Sequence, residues 1–97
     1  YQVDGQGYAK VDPTLEHPRC VFQLMKAHYA RYTPEAVANI CGCKPEEFVK
    51  AAEAITVAAA TDKSGTVLYA LGWTHHSFAV QLIHAAAMVQ LLMGNIG

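Results

Sequence analysis

The densest set of chemically capable side chains lies in Leu71–Val80, read LGWTHHSFAV. Gly72, Trp73, Thr74, His75 and His76 follow one another there. Glycine lets a ligand approach the backbone closely. Tryptophan offers a flat apolar face and one N–H, threonine a hydroxyl, and each neutral imidazole one donor and one acceptor. Together these groups can hydrogen-bond a phosphate, a ribose or a base edge. An ordinary turn with Thr74 as a helix cap explains the same string without a ligand. A metal site is disfavoured, because adjacent helical residues point roughly 100° apart. His84 is eight residues beyond His76, and no zinc-type spacing such as H-E-x-x-H or paired C-x-x-C occurs.

The other reactive residues are sparser. Cys20, Cys41 and Cys43 are odd in number, and Cys41 and Cys43 are too close for an ordinary disulfide. Cys41-Gly42-Cys43 lacks the second cysteine pair that a metal or cluster site would need. No cysteine adjoins a histidine and no G-x-S-x-G is present, so no nucleophile–base pair emerges. His28 reads as a packed helix residue. The acids gather in the first turns of helices, where the helix dipole accounts for them.

The elements that position these residues follow from periodicity and punctuation. Residues 1–17 read as an extended lead-in, with Gly5, Gly7, Asp12 and Pro13 as turn residues. A first helix is expected from about 18 to 31, with Pro18 in its first turn. Thr33-Pro34-Glu35 starts a second helix, which Gly42 ends as a left-handed cap. A third runs from about 44 to 60, with an apolar stripe of Phe48, Val49, Ala52, Ile55 and Ala59. Thr61–Gly65 is a polar turn. Residues 66–71 are apolar on both parities, as in a strand buried on both faces. A last helix is expected from about 75 to 93, apolar almost all round and closed by Gly94-Asn95. The fold class so read is α/β and helix-rich: about four helices and one buried strand, with 18–97 forming one cofactor-binding segment. One strand makes no sheet, and its partners are not evident in the sequence. Those missing strands lead to the expectation of a piece of a larger α/β protein, and the opening on Tyr1 rather than methionine fits a processed protein or a cut from a longer one.

Charge sharpens that expectation. The 97 residues carry seven basic and eight acidic side chains, for a net charge of −1. The balance gives no support for nucleic acid as a partner, which calls for a basic face. Every Asp, Glu, Lys and Arg lies at or before Lys63. An uncharged end is unusual for an exposed surface. The purely apolar runs are far shorter than the roughly 20 residues of a membrane span. The uncharged end is therefore expected to be buried in something larger. In open α/β sheets, ligands collect where strands end and helices begin, which is where Gly72–His76 would fall.

Three strings carry a family resemblance: HPRCVFQLMKAHYARYTPEAVANICG (17–42), LYALGWTHHS (68–77) and MVQLLMGNIG (88–97). They resemble the catalytic (alpha, large) subunit of molybdenum- or tungsten-dependent formate dehydrogenases of the periplasm-facing bacterial type. The resemblance runs over nearly the whole sequence. It implies a multi-domain α/β oxidoreductase and a bis-molybdopterin guanine dinucleotide cofactor with Mo or W. It implies Gly72, Trp73, Thr74, His75, His76 and Gln81 as cofactor neighbours. It implies formate as substrate, an iron–sulfur cluster elsewhere in the subunit, and partner subunits carrying iron–sulfur clusters and cytochrome b. It also implies a periplasmic location, held at the membrane through those partners. The family commonly carries Gln where His75 stands. The family's metal-ligating selenocysteine or cysteine, followed by histidine, has no counterpart here, so no catalytic or metal-ligating residue is expected in this segment. Two alternatives fit the residues alone: a small helical interaction module that buries its uncharged half in an oligomer or partner, and a stand-alone nucleotide binder.

Overall fold

The computed structural model describes residues 2–96; the ends of the expected lead-in and of the 88–97 string, Tyr1 and Gly97, lie outside the described residues. The protein forms two compact units, 1–45 and 46–97.

In the first unit, 2–20 hold no helix. Val3 and Ala9 make an isolated antiparallel bridge. The Asp4 carboxylate closes the turn between them by accepting from the N–H groups of Gln6 and Tyr8 at 2.8 and 3.0 Å. Asp12 organises the next loop. It accepts from Thr14 N–H at 3.1 Å, the Thr14 hydroxyl at 2.6 Å and His17 N–H at 2.8 Å. These bonds, led by the Thr14 hydroxyl, hold the Asp12 carboxyl below its ordinary pKa.

Helix α1 spans Val21–Tyr29, shorter at both ends than the periodicity suggests. Its start is displaced because Cys20 N–H closes a turn onto His17 C=O at 2.9 Å, leaving Pro18 inside that turn. Helix α2, Pro34–Cys41, follows its sequence signals closely. The Thr33 hydroxyl accepts from Ala36 N–H, Pro34 occupies the first turn, and Gly42 caps the end at φ 73°. The Glu35 carboxyl is held below its ordinary value by its own backbone N–H and by the Thr33 hydroxyl. Ala38, on α2, is the one buried hydrophobic residue among those described.

The second unit is built on α3, Pro45–Thr56, a 3-10 turn Val57–Ala59, a one-turn helix α4, Leu71–Thr74, and α5, Ala79–Leu92. Phe48 and Ala52 of the expected α3 stripe are half-buried, whereas Ile55 and Ala59 are exposed. On α5, Ala79, Leu82, Ile83, Ala86 and Gln90 are half-buried and recur at three and four residues, joined by Met93 just past its end, so one face packs; Met88 is half-buried off that face. Val80, Leu91 and Leu92 on other faces are exposed. Gly94 at φ 71° ends the helix. Its N–H reaches Leu91 C=O, and Asn95 N–H reaches Gln90 C=O at 3.0 Å, the paired bonds of a Schellman motif. The Asn95 amide oxygen then accepts from Gly65 N–H at 3.1 Å, tying the turn before residue 66 to the end of α5.

The helix-rich character is therefore observed, with a correction at the centre. The expected buried strand 66–71 does not form: 66–70 have neither helix nor ladder, and Leu71 opens α4. A strand needs neighbours for its N–H and C=O groups, and among the described residues no other strand is available. The last helix also begins at Ala79 rather than about 75, because 71–78 is occupied by α4 and a turn.

Gly65 is demanded by packing. A Cβ built there would lie 2.7 Å from the Ala58 Cβ. Gly65→Ala should therefore destabilise the second unit by about 1–3 kcal/mol, read as a lowered urea midpoint with an unchanged slope. Asp12 gives a pH test. Because its folded pKa is depressed, its contribution is present above the ordinary carboxylate value and is lost as pH falls through the lowered one. Acid titration followed by NMR should move the Thr14 and His17 amides together in that window, and Asp12→Ala should abolish the transition.

Candidate functional site

The junction between 66–70 and α5 is compact and held by its own bonds. Ala70, at φ −146° and ψ −134°, precedes α4. Its carbonyl accepts from the N–H groups of Trp73 and Thr74 at 3.2 and 3.3 Å. The Thr74 hydroxyl donates to the same carbonyl at 3.3 Å. His75 ends the turn, its N–H on Leu71 C=O at 3.1 Å.

Two contacts join residues of α4 to residues just outside it, each pair four apart in sequence. Tyr69 and Trp73 stack, with centroids 5.4 Å apart and planes 15° apart. His76 Nε2 lies 3.0 Å from Gly72 C=O. A carbonyl only accepts, so His76 donates from Nε2, and its neutral ring keeps Nδ1 as an acceptor. The His76 ring also stacks on Phe78 at 5.5 Å.

Gly72, Thr74, His75, His76 and Gln81 are exposed and Trp73 is half-buried. Gly72, Trp73, Thr74, His75 and His76 are thus gathered on one short element. Gln81 sits separately on the first turn of α5, its N–H on Phe78 C=O. Two expectations are corrected. Thr74 does not cap the long helix: it is the last residue of α4, and its hydroxyl is committed to Ala70. Nor do the histidines lie at the start of that helix, whose cap residue is Phe78, with no capping bond from its ring. Tyr69 and Phe78 were missed as members of the site. The 69/73 spacing signals the first; nothing local signals the second.

Gly72 is the informative position. A Cβ built there meets nothing within 4 Å, and its φ lies outside the left-handed region. Neither backbone conformation nor the packing around it requires glycine there. The donor set is polar, uncharged and outward-facing. It suits a large hydrogen-bonding ligand laid against the surface. It does not suit a metal, and among the described residues no group of three or more His, Cys, Asp or Glu could hold one. The three cysteines are free and none lies in the junction.

Along its whole length the protein matches the major or alpha subunits of formate dehydrogenases, a class of oxidoreductase. It is homologous to a segment of those subunits. It is 53% identical over 97 residues to the major subunit of the nitrate-inducible formate dehydrogenase of Escherichia coli (strain K12), covering 100% of this sequence and 10% of that subunit. It is 47% identical, also over 97 residues, to the formate dehydrogenase subunit alpha of Megalodesulfovibrio gigas, again covering 100% and 10%. Over 87 residues it is 48% identical to the formate dehydrogenase 2 subunit alpha (cytochrome c-553) of Nitratidesulfovibrio vulgaris, covering 90% of this sequence and 9% of that one. It spans about a tenth of the length of these relatives. No family model matches it.

The geometry of Thr74 yields a test. Its exposed bond to Ala70 holds one short turn, so Thr74→Val should cost about 0.5–1.5 kcal/mol and leave the helicity of α5 intact. A loss of α5 amide protection on hydrogen exchange would instead restore Thr74 to the role of its cap.

Proposed function

We propose that this protein is a segment of the catalytic subunit of a formate dehydrogenase and forms part of the wall that binds its molybdopterin guanine dinucleotide cofactor. Identity across the full 97 residues to subunits bearing that name supports the first part. The observation that carries the second is Gly72: an open glycine on a polar turn, unexplained by anything packed around it.

The residues fit such a cofactor by chemistry. His75 and the free Nδ1 of His76 offer hydrogen-bonding groups to a guanine, ribose or phosphate edge. Trp73, propped by Tyr69, offers a flat face. Gly72 lets the ligand approach the backbone. Gln81 is a more distant contributor. Thr74 acts indirectly, holding the turn through Ala70. When bound, the Mo or W centre of the cofactor supplies the two-electron chemistry that converts formate to carbon dioxide and a proton. This segment's residues bind and orient; they supply no metal ligand and no acid–base pair, so the segment is not catalytic by itself.

The same reading places the whole subunit beside iron–sulfur and cytochrome b partners on the periplasmic side of a membrane, with an iron–sulfur cluster elsewhere in the subunit. No helix among the described residues is long and apolar enough to cross a membrane.

The deciding variant is Gly72→Val in the full-length subunit. It should lower bound metal and pterin several-fold while leaving the thermal midpoint of the cofactor-free protein within about 0.5 kcal/mol of wild type in stability terms. Undiminished metal and pterin content would remove the cofactor from this face.

A further inference from the structure

Arg31 lies just past the end of α1 and is exposed, yet two bonds hold its guanidinium. Nε donates to the His28 carbonyl at 2.8 Å, and Nη2 meets His28 Nδ1 at 2.9 Å. A guanidinium only donates, so Nδ1 accepts and the neutral His28 ring carries its proton on Nε2. His28 is itself exposed rather than packed. The Arg31 Cζ sits over the Tyr32 ring, 5.9 Å from its centroid, within cation–π range. Tyr29 extends the cluster, 6.1 Å from Tyr32 and edge-on to His28 at 4.9 Å. Capping the end of α1 accounts for the bond to the carbonyl. It does not account for the bond to the imidazole, which sets the plane of the fork.

Both bonds use the Nε–Nη2 edge of the guanidinium. The end of the fork, Nη1 with the second Nη2 hydrogen, stays open, and among the described residues no carboxylate pairs with Arg31. Two parallel N–H groups on a planar cation match the two oxygens of a carboxylate. A phosphate also fits a fork, but this cluster holds one positive charge among three neutral rings, which matches a monoanion. A small-molecule acid is disfavoured by shape. Such ligands take concave sites, and the two main clefts lie elsewhere, along 65–96 and 2–22. Arginine and tyrosine on an exposed surface are the residues that dominate contacts between proteins. Tyr29 and Tyr32 are 42% and 49% exposed, so each has a face to cover. The cluster also belongs to the charged part of the sequence, 1–63, and not to the uncharged 64–97. Interfaces between separately folded proteins are the more polar kind, and the reading above sets partner subunits beside this one.

We propose that Arg31, held by His28 and backed by Tyr32, receives an acidic side chain of another subunit, whose carboxylate takes the Nη1–Nη2 edge while an apolar neighbour covers Tyr29 and Tyr32. The proposal rests on the reading of this protein as part of a multi-subunit formate dehydrogenase, and not on where the cofactor lies. A structure of the intact, cofactor-loaded complex should place both oxygens of an Asp or Glu of a different subunit within about 3.2 Å of Nη1 and Nη2. Water at both nitrogens, or a carboxylate of the large subunit itself, would overturn it. The cofactor's position against Gly72–His76 is read in the same map, so the two proposals fail separately. The affinity of the full-length large subunit for its partner subunits gives a second readout. Arg31→Ala should raise the dissociation constant about tenfold or more. Arg31→Lys keeps the charge but not the fork, and should recover little of that loss. Wild-type affinity in either variant, or a lowered thermal midpoint of the isolated variant subunit, would count against the site, the last by making Arg31 a residue of the fold.

Discussion

The bond from Gly65 N–H to the Asn95 amide oxygen joins positions 30 residues apart, and much of the second unit depends on it. On one side, the Schellman closure of α5 fixes where Asn95 lies. On the other, Gly65 fits only because it has no Cβ to meet Ala58. The bond therefore fixes where 66–70 leave the polar turn and run along α5. It also sets the sense of the Asn95 amide, leaving Nδ2 as the buried atom without a partner. A single polar contact decides both the path of a segment and the orientation of the amide that holds it.

That contact holds in place a surface far more apolar than a free-standing protein of this size would show. A domain of about 100 residues normally buries most of the surface its unfolded state exposes. Here Ala38 is the one buried hydrophobic residue described, while Leu68, Val80, Leu91 and Leu92 are exposed. At about 25 cal/mol per Å² of apolar area, covering such residues is among the largest stabilising terms the protein has left to gain. Exposed apolar area and the missing charge after Lys63 point the same way. The second unit keeps its own turn chemistry and leaves much apolar surface uncovered.

The contrast between α2 and 66–71 shows what a sequence can convey. Thr33, Pro34, Glu35 and Gly42 act on atoms within four residues of themselves, so the start and end of α2 were legible. Apolar side chains on both parities of 66–71 suggested burial on two faces, yet Leu68 is 90% exposed, and Tyr69 and Leu71 are exposed as well. The partners that would turn such a stretch into a strand are not among the described residues, and it stays irregular. The site residues were legible as types. Their arrangement was not, because α4 is a single turn containing glycine with no periodic pattern to announce it. The contact between His76 and Gly72, and the stack of Trp73 on Tyr69, exist only once that turn has formed. Spacing at i and i+4 was the available clue, and the expected strand obscured it.

The junction's own bonds then limit its chemistry. The Thr74 hydroxyl and His76 Nε2 are spent on the backbone carbonyls of Ala70 and Gly72. Those bonds make the turn rigid, and they withdraw two groups that a catalytic site would keep free. What faces outward is the His76 Nδ1, the His75 ring, part of the Trp73 face and the open space at Gly72. None of these is paired with a carboxylate or thiol that would tune it as a base or nucleophile. A hydrogen-bonding face with a gap in its centre suits holding a large hydrogen-bonding group in one orientation. It does not suit breaking a bond. The paired histidines, which by type alone suggest catalysis or metal binding, are better explained by that division: one stabilises the turn, and the other extends the surface that the turn presents.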